Sequence, residues 1–182
     1  PDRPDVCAVV VGSLDSPYLP RTLAALAGQF HAPERVLLAV LPDVEGRTGP
    51  TSSDGEGEPE GGPSPEVVDD LLNETGLGSG RGPDVAPGGV RVVHVRASHC
   101  FSDAVDTALG HTEGDPGAWL WLLHDDSAPD PAALGHLLAA VDRSDSVAVA
   151  GVKQVEWDEP DRLISVGVDM TVDGQRFTGV EA

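Results

Sequence analysis

The chain has 182 residues, of which 40% are hydrophobic and 23% charged, a composition typical of a single globular domain with an adequate core. No apolar run approaches the length of a membrane span, and no signal peptide opens the sequence. The formal net charge of −20 argues against a nucleic-acid binder, because such a surface repels the phosphate backbone.

The first third of the sequence predicts a strand, a helix and a second strand. The run Val6–Val11, VCAVVV, is continuous and apolar up to Gly12, as expected of a strand that is buried on both faces. Val36–Leu41, VLLAVL, has the same character. Between them a helix is predicted, with Pro20 in its first turn and with apolar residues at helical spacing: Leu19, Leu23, Leu26 and Phe30.

Residues 45–89 differ from the rest of the chain, because they are rich in Gly, Pro, Ser and acidic residues and offer little to bury. We predict an insertion into the domain that is partly disordered. Pro65–Glu74 is the exception, since its apolar residues predict a short helix.

Regular structure resumes after the insertion. Three further strands are predicted: Val90–Val95, Trp119–Leu123 and Val147–Val152. One helix is predicted through Phe101–Leu109, and another begins at Pro131 with Asp130 as its cap. The end of the chain predicts a hairpin that turns at Asp173-Gly174.

Apolar strands that alternate with amphipathic helices define the fold class. The predicted architecture is α/β, a mostly parallel, Rossmann-like sheet with helices on both faces and a small antiparallel hairpin at the C-terminal end. We expect one domain over residues 1–182, and Pro1 in place of Met indicates a truncated one. A membrane segment elsewhere in the parent chain stays open. Cys7 and Cys100 show no metal-ligand spacing. Reduced thiols are expected, with a disulfide between the two as the alternative.

The fourth strand ends in His124-Asp125-Asp126, which is the most informative stretch of the sequence. In parallel sheets, ligands bind beyond the carboxyl ends of the strands. Carboxylates gathered there repel one another unless a cation lies between them, and Mg²⁺ or Mn²⁺ would suit these ligands. A solvated loop is the simpler alternative, since Asp is common in turns.

Motifs of several other enzyme classes are absent. After the first strand, Gly12-Ser13-Leu14-Asp15 matches neither the dinucleotide fingerprint nor the P-loop. The sequence has no G-x-S-x-G elbow and no H-E-x-x-H spacing.

Three segments together resemble the N-terminal, nucleotide-binding part of family 2 glycosyltransferases, which are inverting enzymes of GT-A fold. These are VVVGSLDSPYLPRTLAALAGQ, SHCFSDAVDTAL and LLHDDSAPDPAAL. In the second segment Phe101 and Ala104 match the family pattern, whereas Ser98, Cys100 and Asp106 are substitutions. The third is similar to the acidic D-x-D segment, with His124 in place of its first aspartate.

The resemblance implies a site for a nucleoside-diphosphate sugar and a divalent cation, Mn²⁺ or Mg²⁺. Asp126 and His124 are its implied metal ligands. The residues implied to contact the donor are Gly12, Ser13, Asp15, Asp43, Ser98 and Asp125. The implied reaction is displacement at the sugar C1 with inversion, after a base deprotonates the acceptor hydroxyl. The family's acidic base has no match before Ala182, so the chain is expected to supply the donor half only.

The resemblance also implies partners and a location. The donor is a nucleotide sugar, the acceptor is a glycan or a lipid-linked hydroxyl compound, and the product is a cell-wall or surface glycan. We expect the chain in the cytoplasm, or at the cytoplasmic face of a membrane. Two alternatives stay open: a non-catalytic nucleotide-binding or regulatory module with a decayed site, and a nucleotidyltransferase, which the lack of a Gly/Lys/Arg-rich phosphate loop disfavours.

Overall fold

The computed structural model describes residues 4–42, 65–78, 90–95, 100–112, 119–167, 169–170 and 176–177. The chain divides into two compact units, residues 1–131 and residues 132–182. No helix of the described residues is long and apolar enough to cross a membrane.

The first unit consists of four strands and three helices in alternation. In chain order they are β1 (Val6–Gly12), α1 (Leu19–Ala27), β2 (Arg35–Val40), α2 (Pro65–Glu74), β3 (Val90–His94), α3 (Phe101–Gly110) and β4 (Trp119–His124). The strands form one sheet in the order β3-β2-β1-β4, and every neighbouring pair is parallel. The predicted fold class is thereby confirmed, and so is the helix within the insertion.

The second unit contains α4 (Ala133–Val141) and four short strands. The strands are β5 (Gln154–Val155), β6 (Leu163–Ser165), β7 (Asp169–Met170) and β8 (Arg176–Phe177). Two antiparallel pairs form, β5 with β6 and β7 with β8. The second pair is the predicted hairpin, although its turn at Asp173-Gly174 lies outside the described residues.

The core of the first unit is organised around β1, whose seven residues are all buried. On one face Cys7, Val9 and Val11 pack against α3, which contributes Ala104 and Ala108 to the same cluster. The alternate side chains of β1 point to the opposite face and are also almost fully buried. A strand that is covered on both faces needs the continuous apolar run that the sequence shows.

The β4 strand differs from β1 because its burial alternates. Trp121 and Leu123 are buried, whereas Leu120 is 41% exposed and Leu122 is 47% exposed. Leu120 pairs with Cys7 in the register of the sheet, so the exposed leucines lie on the face of β1 that packs against α3. Among the described strands, β4 forms one edge of the sheet.

Two helix boundaries differ from the sequence prediction. Helix α1 ends at Ala27, where the Gly28 N–H donates to the Ala24 carbonyl and the Gln29 N–H donates to the Leu26 carbonyl. Phe30 beyond it is 85% exposed. Helix α4 begins at Ala133, so the prediction of a helix that starts at Pro131 and is capped by Asp130 is wrong.

The reason for the later start of α4 is a tertiary contact. The Phe30 N–H donates to the Pro131 carbonyl over 2.8 Å, and the Gln29 side chain donates to the Asp130 carbonyl over 2.8 Å. Both carbonyls would otherwise accept the first bonds of the helix. The first turn of α4 therefore uses the Ala132 carbonyl, which accepts from the His136 N–H.

The prediction of a fifth strand at Val147–Val152 is also wrong. These residues form no strand, and Val149 and Val152 are 87% and 46% exposed. The run contains Ala148, Ala150 and Gly151, which bury little apolar surface and therefore specify a strand only weakly.

The cysteines lead to a prediction about thiol reactivity. Both are free thiols, with Cys7 buried and Cys100 exposed. Burial raises the pKa of the Cys7 thiol, and Arg35 offsets part of that rise, so Cys7 carries little of the reactive thiolate at neutral pH. We expect a thiol reagent to modify Cys100 alone in the native chain and both cysteines in denaturant. Modification of neither cysteine in the native chain would contradict this prediction.

Candidate functional site

The strand order reverses between β1 and β4, which makes their carboxyl ends a topological switch point. The chain runs from β1 outward through β2 and β3, and then returns to the other side of β1 as β4. Neighbouring strands whose connections leave in opposite directions form the topological switch point, where ligands bind in open α/β sheets. Gly12 ends one of these strands and His124 the other.

The turns that follow the two strands are in direct contact through Asp125. Its backbone N–H donates to the Val11 carbonyl over 3.1 Å, and its carboxylate Oδ2 accepts from the Ser13 N–H over 3.1 Å. A β-carbon at Gly12 would overlap the Cβ of Asp125 and would lie 2.6 Å from its carboxyl carbon. Only glycine at position 12 permits this close approach. The packing of the turn after β1 against the turn after β4 therefore depends on Gly12.

His124, Asp125 and Asp126 form the candidate metal centre. Each offers one ligand atom, and these atoms all lie within 4.8 Å of one another. His124 and Asp126 are exposed and Asp125 is half-buried, so a solvated ligand can reach the group. Two carboxylates and an imidazole supply hard oxygen ligands and one nitrogen ligand, which together fit Mn²⁺ and, with less preference for the nitrogen, Mg²⁺.

The imidazole of His124 packs against an aromatic ring of α3. The ring centroids of His124 and Phe101 are 4.4 Å apart, and the planes are inclined by 32°. His124 pairs with Val11 in the register of the sheet and therefore lies on the face of the sheet that packs against α3. The contact restricts the orientation of the ring, so Phe101 has a local role beside its place in the core.

The structure brings most of the other predicted donor-site residues to the same edge. Asp15 is exposed in the turn after β1, where its N–H donates to the Ser13 hydroxyl over 3.3 Å. The Leu41 N–H donates to the Gly12 carbonyl over 2.8 Å, so the chain just before Asp43 lies beside that turn. Asp43 itself and Ser98 lie outside the described residues.

Sequence reasoning missed two residues that hold the β4 turn. Thr22 is fully buried on α1, and its hydroxyl donates to the Asp125 carbonyl over 2.6 Å. Gln29, 7% exposed, donates to the Asp130 carbonyl. A signal for the first was present, because Thr22 lies at position i+3 from Leu19 on the apolar side of the helix. A polar residue there needs a buried partner.

Comparison with known proteins agrees with the motifs. Residues 64–166 match the family described as Glycosyl transferase family 2, a match that includes α3, β4 and His124–Asp126. Among solved structures, the crystal structure of S. aureus TarS 1-349 is similar with a TM-score of 0.46 and 16% identity, over 82% of this chain and 38% of that chain. No curated protein matches the sequence. Because residues 64–166 are more than half of the chain, it belongs to glycosyl transferase family 2, the family that its motifs predicted.

Proposed function

We propose that the chain binds a nucleoside-diphosphate sugar with a divalent cation and provides the donor half of an inverting glycosyltransferase. One observation carries the proposal. At the topological switch point, Gly12 and Ser13 at the end of β1 lie beside the His124–Asp126 cluster at the end of β4. A diphosphate bridged by a cation to that cluster would place the sugar beyond the strand ends.

The residues of the site would divide the work. Asp126 and His124 would bind the cation, and Asp125 would fix the turn through Ser13. A carboxylate offers about four lone-pair positions, so the bond from Ser13 leaves Asp125 able to contact a ligand as well. When bound, the cation would neutralise the negative charge of the diphosphate leaving group.

The transfer forms one bond and breaks one bond at the sugar C1. The acceptor hydroxyl oxygen would bond to C1 while the bond from C1 to the diphosphate oxygen breaks, and the acceptor's proton would pass to a base. Attack from the face opposite the leaving group inverts the configuration. The base is not assigned to a described residue. The proposed acceptor is a glycan or a lipid-linked compound. The proposed location of the chain is the cytoplasm or the cytoplasmic face of a membrane.

A thermal-shift titration tests the donor site. The chain is heated with UDP, GDP or TDP, and with their sugars, each with Mn²⁺, Mg²⁺ or EDTA. A ligand at one hundred times its Kd stabilises by about 2.7 kcal/mol, which for a chain of this size raises Tm by roughly 5–11 °C. We expect one nucleotide to do so only with the metal. Inorganic phosphate at matched ionic strength is the control, and an unchanged Tm with every nucleotide would contradict the proposal.

The second candidate is a nucleotide-binding module with a decayed metal site. The observation that favours it is His124, which stands where the family pattern has the first aspartate of D-x-D. Under this alternative, the same titration would give equal shifts with metal and with EDTA.

A further inference from the structure

We infer that Thr22 and Gln29 are positioning residues, which hold the turn Asp125–Asp130 in the shape that presents Asp126 to a cation. The inference rests on the proposed function, because it assigns a role to the metal cluster. It concerns side chains that do not belong to the cluster. Thr22 lies on α1 and Gln29 lies just after it, and together we call them the α1 clamp.

The need for a clamp follows from the exposure of Asp126. An exposed side chain gains little positioning from packing, so its backbone must be held if its carboxylate is to stay in place. Within the turn, the Ser127 N–H donates to the His124 carbonyl over 3.2 Å. The side chains of Thr22 and Gln29 add a hydrogen bond at each end of the turn.

Thr22 holds the first end with its only hydroxyl proton. The hydroxyl oxygen lies 2.6 Å from the Asp125 carbonyl oxygen and 3.4 Å from that of Tyr18, one turn earlier in the helix. One proton serves one strong bond, and the shorter distance identifies Asp125 as the acceptor. Because Thr22 is fully buried, water cannot replace this bond when the hydroxyl is removed.

Gln29 holds the second end with its amide group. Its Nε2 donates one proton to the Ala25 carbonyl over 3.1 Å and the other to the Asp130 carbonyl over 2.8 Å. Both protons are therefore used, and the amide ties the C-terminal end of α1 to the far end of the turn. The Phe30 N–H adds a bond to the neighbouring Pro131 carbonyl over 2.8 Å.

Both ends of the turn are thus fixed to one rigid element. Helix α1 packs with Leu19, Leu23 and Leu26 fully buried, so its frame moves little. Removal of either donor should leave the fold intact and widen the range of positions that Asp126 samples. Loss of groups that orient metal ligands typically weakens metal affinity by roughly 10–100-fold.

The test compares four variants by titration with Mn²⁺ in the absence of nucleotide. Electron paramagnetic resonance measures the free Mn²⁺ and therefore the Kd. Thr22→Val and Gln29→Met remove the donors at similar volume, and Thr22→Ser restores the hydroxyl. Thr107→Val is the control, because it removes a helix threonine hydroxyl that also donates to a backbone carbonyl, in this case that of Asp103 in the same helix, over 2.8 Å. We expect the Mn²⁺ Kd to rise about 10-fold in the first two variants and to stay near wild type in Thr22→Ser and Thr107→Val.

A purely structural role would give a different pattern. Thr22→Val and Gln29→Met would then lower Tm and leave the Mn²⁺ Kd unchanged, which would overturn the inference. If Thr22→Val does not fold, Gln29→Met carries the comparison by itself.

Amide hydrogen exchange in the metal-free chain separates this inference from the proposed function. If the wild-type chain binds no Mn²⁺, the proposed metal site fails, and the clamp is then judged by exchange alone. The amide hydrogens of Asp125 and Ser127, which donate to the Val11 and His124 carbonyls, should exchange faster in Thr22→Val and Gln29→Met than in wild type and Thr107→Val. Equal protection of the turn in all four proteins would overturn the clamp whatever the metal does.

Discussion

Asp126→Asn should weaken binding of Mn²⁺ to the chain by at least about 100-fold and abolish the metal-dependent stabilisation by nucleotide. The physical reason is that the substitution replaces a charged oxygen ligand with a neutral amide. The two side chains have nearly the same size, so packing in the fold is unchanged. Groups that merely orient metal ligands are worth roughly 10–100-fold, so loss of a ligand should exceed that range. Calorimetric titration with Mn²⁺ measures the change.

The control for this variant is Asp130→Asn, in the same turn. It removes the same charge and lies outside the His124–Asp126 cluster. We expect its Mn²⁺ affinity to stay within about threefold of wild type, because exposed charges are screened over roughly 10 Å at moderate salt. Equal weakening in both variants would mean that only the general negative potential attracts the ion, and the assignment of Asp126 as a ligand would be lost.

Gly12→Ala should destabilise the chain by about 2–3 kcal/mol, the upper part of the range for overpacked cores, and lower its Tm by roughly 4–12 °C. The added methyl group would overlap Asp125 Cβ, an atom fixed to the backbone that cannot rotate away. The ends of β1 and β4 must therefore separate, which strains the bonds from Ser13 to Asp125 and from Asp125 to Val11. Thermal and urea unfolding measure the loss.

Two further variants make this prediction specific. Gly110→Ala, at the end of α3, meets no atom within 4 Å and should leave stability unchanged or slightly raised. The double variant Gly12→Ala with Asp125→Gly lacks the Asp125 Cβ, the atom that the added methyl group would overlap. The alanine should then cost less than it does alone, a coupling of the kind that double-mutant cycles detect. Additive losses would show that the clash is not the cause.

The strands of the first unit could be predicted from sequence to within one residue at each end. β1, β2 and β4 are apolar runs whose limits are marked by glycine, proline or charge, and burial on both faces demands such runs. The sequence also predicts that the first strand ends at Gly12. The close approach of Gly12 to Asp125 was not predictable, because it depends on the register between β1 and β4. The residues that meet there are distant in sequence: Ser13 and Asp125 are 112 residues apart.

The candidate site was predictable as a set of residues, whereas the way its members are held was not. His124, Asp125 and Asp126 stand together in the sequence, and their strand delivers them together. The hydroxyl of Thr22 and the amide of Gln29 act on backbone carbonyls, and a carbonyl has no sequence signature. The Gln29 contact, together with the bond from the Phe30 N–H to the Pro131 carbonyl, displaced the start of α4 from Pro131 to Ala133. Tertiary hydrogen bonds thus overrode a local capping pattern.

The alternating burial of β4 bears on how the chain behaves in concentrated solution. Among the described strands β4 lies at an edge of the sheet, with Leu120 and Leu122 partly exposed, and such a strand is a template for pairing with a strand of another molecule. The net charge of −20 opposes such encounters, because like-charged chains repel one another over about a Debye length. Added salt shortens that length and leaves the leucines unchanged. Self-association of the chain should therefore be suppressed in dilute buffer and promoted as ionic strength rises.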